Sequence, residues 1–161
     1  MKITDKATFK RMINQLDTNA TNILVSPKKN KIAEFNIQVD RPRSSTKGAV
    51  NFVELLGTIG LKTQTKISET VTLIVARKNV SLEGSETIIF TAPHTVTNNP
   101  SASTLLSFSY TDGNIDELIT AGNYLYSLYI QRTPLNIKLP ILDPVIIQGP
   151  ITFTGTSFLK S

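Results

Sequence analysis

The chain has 161 residues, a formal charge of +5, one histidine and no cysteine. That length suits a single domain plus a modest extension, since a sandwich of about 110–120 residues buries its own core without metals or cross-links. Disulfides and thiolate-held zinc are excluded outright, and no stretch approaches the roughly 18 apolar residues of a membrane-spanning helix.

Phe9, Met12, Ile13 and Leu16 recur at helical spacing, with Lys6, Lys10 and Arg11 on other faces, so the first segment is expected to be a short helix capped by Thr4 or Asp5. Asp17 to Asn30 reads as a connector holding the apolar patch Ile23-Leu24-Val25, Pro27 and the basic run Lys28 to Lys31. Residues 1–47 carry ten Lys/Arg against four Asp/Glu, a net +6, whereas residues 48–161 sum to −1. The basic character therefore belongs to the N-terminal third, either as an interaction arm or as a solvated extended segment. The boundary falls near residue 30, giving an arm over 1–30 and a β-sandwich over 31–161.

From residue 31 the period becomes two. Phe35, Ile37 and Val39 alternate with polar neighbours. Val50 to Leu61 is a long apolar strand in which Gly57 and Gly60 mark a bulge or a close backbone approach. Val71, Leu73 and Val75 share one face of the next strand, and Glu86 to Thr91 forms another. Pro93 to Ser103 is expected to be a polar loop. Leu106, Phe108 and Tyr110 then alternate with small polar residues up to the turn signal Asp112-Gly113. Tyr124, Tyr126, Leu128 and Ile130 follow. A proline-punctuated stretch, Pro134 to Pro144, precedes a closing strand with Ile151 and Phe153. Seven to nine strands rich in Ile, Val and Thr, with no crossover helices, predict an all-β, antiparallel, jelly-roll-like sandwich of about eight strands. The expected core is Phe35, Ile37, Val39, Val53, Leu55, Val71, Leu73, Phe108, Tyr124, Tyr126, Leu128, Ile151 and Phe153.

No catalytic constellation emerges. His94 stands alone in its loop, without the partners of a metal site and without a G-x-S-x-G elbow. Gly57-Thr58-Ile59-Gly60-Leu61-Lys62 lacks the phosphate-loop spacing. Asp112, Asp116 and Glu117 are a calcium candidate weighed against a solvated turn, which explains them better. Tyr124 and Tyr126 share a face opposite Tyr129, which favours packing over sugar stacking, there being no tryptophan. The Lys28–Lys31 run is short for a nucleic-acid contact. The expectation is a non-enzyme with no cofactor, no metal, no membrane association and no nucleic-acid partner. Met1 to Lys10 holds three lysines with no apolar stretch after them, so synthesis in the cytoplasm without a cleaved leader is expected.

Three segments carry a resemblance. Gly149-Pro150-Ile151-Thr152-Phe153-Thr154-Gly155, Gly122-Asn123-Tyr124-Leu125-Tyr126-Ser127-Leu128, and Val53-Glu54-Leu55 with Gly57-Thr58-Ile59-Gly60 and Thr72-Leu73-Ile74-Val75-Ala76-Arg77 are similar to strands of the Bacillus exosporium protein C family. These are spore-surface sandwiches related in shape to tumour-necrosis-factor and C1q-like jelly rolls. The resemblance spans about residues 31–157 and leaves the arm unmatched. It implies a structural, self-associating subunit of a spore surface layer (exosporium) or of an endospore appendage fibre, whose partners are copies of itself and other spore-surface proteins. Appendage subunits share the plan of a jelly roll with an N-terminal connector, but are linked through cysteines that this chain lacks. The expected link is therefore non-covalent and made by the arm, through Phe9, Met12, Ile13, Leu16, Ile23, Leu24 and Val25. The competing readings are a trimeric jelly-roll binding module for carbohydrate or receptor, as on phage fibres, and a small viral coat protein.

Overall fold

The computed structural model describes residues 1–13, 23–25, 27–40, 50–63, 69–82, 84–96, 104–113, 119–133 and 145–160. These form nine strands: β1 (Lys2–Ile13), β2 (Ile23–Leu24), β3 (Asn30–Val39), β4 (Val50–Thr63), β5 (Glu69–Asn79), β6 (Thr87–Val96), β7 (Thr104–Asp112), β8 (Gly122–Arg132) and β9 (Val145–Lys160). One sheet runs β1-β9-β4-β7, with β2 also on β9, and the other runs β3-β8-β5-β6. Every pairing is antiparallel. Successive strands pass between the sheets, except for β1 and β2, which both lie on β9, and the β5–β6 hairpin within the other sheet. That is the jelly-roll sandwich expected from the pattern.

The two inner faces meet in a single core, and all thirteen residues expected there are buried in it. Its centre is aromatic: the Phe35 ring lies 4.6 Å from Phe153 and 5.7 Å from Tyr126. Glycines make the room. A Cβ on Gly155 would sit 2.5 Å from the Phe35 ring, and one on Gly57 would overlap the Phe108 ring. Gly60 faces a bulge in which β9 spends three residues, Gln148 to Pro150, against one on β4. Gly149 takes φ +114° there, and the Gln148 carbonyl leaves no space for a Cβ on Gly60. The glycine positions read from sequence as a bulge or close approach are both.

Three local expectations differ from the structure. The first segment is the strand β1, not a helix. Its residues pair with β9 from Lys2 opposite Leu159 to Ile13 opposite Gly149, because β9 presents an edge whose backbone groups need partners. The stretch expected as a loop from Pro93 is strand as far as Val96, and His94 lies in it opposite Val71. Pro93 is tolerated because β6 is an edge strand. Asp112 is 1% exposed and ion-paired, not in a solvated turn. Asp116, Glu117 and Pro134 to Pro144 lie outside the described residues. Gly113, directly after β7, takes φ +87°, a conformation that favours glycine; residues 114–118 after it lie outside the described ones.

Candidate assembly site

The arm and the body meet along β9. β1 covers one edge of this strand, and after Ile13 the chain returns to the same edge at Ile23, opposite Ile147, and Leu24, opposite Ile146. The Val25 amide donates to the Val145 carbonyl at 2.8 Å, and Val25 is buried in the core. β1 and β2 therefore act as one long edge strand, broken at the level of the β9 bulge. The backbones of Phe9, Met12 and Ile13 stand opposite Phe153, Pro150 and Gly149. Leu16 lies outside the described residues. Of the residues expected at the interface, the structure thus brings Phe9, Met12, Ile13, Ile23, Leu24 and Val25 to one strand of their own chain.

A corner contact ties β1 to the second sheet. At the β1 irregularity between Ile3 and Asp5, the Asp5 carboxylate accepts the Gln38 amide of β3 at 2.8 Å and its own neighbour's amide, that of Lys6, at 2.8 Å. Ser157, fully buried on β9, donates to the Gln38 carbonyl at 3.0 Å and also meets the Thr4 hydroxyl. Sequence reading offered Asp5 only as a helix cap. On the solvent face, Thr154 donates to Thr8 at 3.3 Å, a direct side-chain contact between arm and body.

The connector after β2 is fixed to the outer face of the second sheet. Gln131 donates to the Pro27 carbonyl at 2.7 Å. The Lys29 ammonium sits 4.0 Å from the centre of the Tyr129 ring and 3.9 Å from the Glu86 carboxylate, which also accepts the Tyr129 hydroxyl proton. Burial alone would raise the Glu86 pKa, but the Tyr129 and Ser127 hydroxyls and the two lysines outweigh it and hold the group below its usual value. Lys31 pairs with Glu34 at 2.8 Å, and that bond raises its pKa. Part of the basic run is thus spent on acidic partners of its own chain.

A second polar cluster spans the sandwich. Arg77 of β5 contacts Asp112 of β7 at 2.7 Å, and Tyr126 of β8 donates to the other Asp112 oxygen at 2.7 Å. Burial works against the Arg77 charge, but Asp112 more than restores it. Burial, reinforced by Asp112, pushes the Tyr126 phenol far above its ordinary value. The signal was present in the sequence: extending the inward faces Val71-Leu73-Val75 and Leu106-Phe108-Tyr110 by one step lands on Arg77 and Asp112. Among the described residues, no group of three or more His, Asp or Glu gathers into a metal site, and no helix is long and apolar enough to cross a membrane.

No family model and no curated protein matches the sequence. Among solved structures, the chain is similar to one in the structure of the infectious bursal disease virus Gt strain, at 10% identity, covering 96% of this chain and 35% of that one, with a TM-score of 0.42. It is similar to dimeric latent PorU from Porphyromonas gingivalis at 12% identity, 97% and 13% coverage and a TM-score of 0.37. Murine APRIL follows at 11% identity, 81% and 94% coverage and a TM-score of 0.36. This chain therefore spans about a third of the viral chain and about an eighth of PorU.

Proposed function

We propose that this jelly roll is a non-catalytic structural subunit that links to its own copies by exchanging its N-terminal strand, as part of a spore surface layer or appendage fibre. The supporting observation is the break in the edge strand. Residues 14–22 join Ile13, opposite Gly149, to Ile23, opposite Ile147, two positions further along the same strand. Nine residues can span up to about 30 Å when extended, far more than that step requires. The far side of the connector is anchored at home by β2, Val25, Pro27 and Lys29, whereas β1 is an edge strand held by its backbone ladder, the Asp5 corner, the Thr8–Thr154 contact and Ala7 against the core. Every copy's β9 offers the same ladder. Passing β1 to the next copy keeps its bonds and makes a heterologous contact that propagates as an open chain. The spore setting rests on the motif resemblance of the strands. Other partners are neighbouring proteins of the same layer.

The cysteine-free background gives a clean test. Thr8→Cys and Thr154→Cys place one thiol on β1 and one on β9, at side chains already in contact. With strand exchange, mixing the two single variants and oxidising gives a disulfide-linked heterodimer, and the double variant gives a covalent ladder. A double variant that closes only within its own chain, with no heterodimer from the mixture, overturns the exchange. Antibody labelling of intact spores of the source organism tests the setting, and signal confined to the spore interior overturns it.

A further inference from the structure

We infer that the edge of β7 turned away from β4 pairs with β7 of a second copy about a two-fold axis, a second interface independent of the arm. Among the described strands, the sandwich has four sheet edges: β1 (with β2), β7, β3 and β6. An unprotected edge is a template for another strand, and proteins guard such edges with charge, proline or cover. β1 carries Lys2, Asp5, Lys6, Lys10 and Arg11. β3 carries Lys31 and Glu34, and has already given its Gln38 amide to Asp5 of β1. β6 contains Pro93, which has no amide to donate. Among the described residues, β7 has none of these devices. From Thr104 to Thr111 it holds no charge and no proline, and among the described strands it pairs only with β4. The acid that ends it, Asp112, is turned inward onto Arg77 and Tyr126, so it places no charge on the edge.

The same chemistry selects the occupant. A β1 strand would set four basic side chains beside an edge that returns no acid, and two β1 strands would oppose lysines, which is unfavourable directly across a ladder. Two β7 strands bring no charges together. Leu106 and Phe108 face the core, while Leu105, Ser107, Ser109 and Thr111 face solvent, Leu105 at 60% exposure. An antiparallel self-pairing must match inner to inner and outer to outer, so the axis passes through a residue and not between two. Full overlap of the strand puts Phe108 on the axis, Ser107 opposite Ser109 of the second copy, and Leu105 opposite Thr111. The two β1-β9-β4-β7 sheets then run on as one.

The test uses full-length protein with single cysteines at exposed positions. Oxidising a mixture of Ser107→Cys and Ser109→Cys should give a disulfide-linked heterodimer in preference to either homodimer. The Ser107→Lys/Ser109→Lys variant, with lysines facing each other across the axis, should fall to half the solution mass of the parent's smallest species while keeping its strand spectrum. Thiols that stay free in the mixture, or a lysine variant of unchanged mass, overturn the inference. The Thr8–Thr154 cross-link reports on arm exchange separately, so either interface can fail without the other.

Discussion

Asp112 concentrates more consequence than any other single residue described. It is almost fully buried, it takes Arg77 on one oxygen and Tyr126 on the other, and it joins β7 of one sheet to β5 and β8 of the other. A buried ion pair adds little net stability over an apolar replacement, but removing one member strands the other. Asp112→Ala should therefore cost about 3–5 kcal/mol, read as a shift in the urea midpoint. Tyr126→Phe loses one hydrogen bond to a charged group and should cost about 1.5–3 kcal/mol. The phenol adds a pH signature. Its folded pKa is raised, so its contribution is complete below the unfolded tyrosine value, about 10, and is lost as pH climbs past that value, where only the unfolded chain ionises. Stability should thus fall above about pH 10. Tyr126→Phe should flatten that fall, leaving the part due to Tyr129, whose pKa is raised by burial and by its bond to Glu86. An equally steep alkaline loss in the variant would rule out Tyr126 as its source.

At the level of strands, the body was legible because alternation is a strong signal wherever one face is buried: Phe35, Ile37 and Val39 are all in the core. The arm was not, and the reason is ambiguity in the residues themselves. Phe9, Met12 and Ile13 fit a helical stripe, yet Ile3, Ala7, Phe9 and Ile13 fit a strand face equally well, with β-branched Thr4 and Thr8 between. The outcome was decided elsewhere, by the unpaired edge of β9, which local pattern does not reveal. The Asp5 corner was hidden for the same reason, since its partner Gln38 is 33 residues away. Pro93 misled by suggesting a loop, when the sheet position that tolerates it is visible only once the strand order is known. The corner makes β1 testable as an element. Asp5→Ala should speed hydrogen exchange at the Gln38 amide about tenfold, corresponding to one charge-assisted bond of ~1.5 kcal/mol, and leave the Leu73 amide unchanged. Unaltered exchange at Gln38 would show that the corner does not hold β1 in place.

The whole molecule depends on one core shared by both sheets. Leu73 of β5 and Phe153 of β9 are fully buried on opposite inner faces of it. Leu73→Ala should cost about 2–5 kcal/mol and Phe153→Ala about 3–5 kcal/mol, each as a single cooperative loss. Separate melting of the two sheets in either variant would break that unity. The position of β9 has a mechanical consequence. It lies between β1 and β4, with eleven positions paired to β1 and thirteen to β4. Its hydrogen bonds run perpendicular to the strands. A pull along the strand direction therefore strains the whole ladder at once, whereas a pull across it would part the bonds one after another. In a chain of exchanged subunits, tension arriving through a neighbour's β1 enters the middle of the sheet and spreads sideways into β4. Such a fibre would resist stretching along its length far better than peeling from its side.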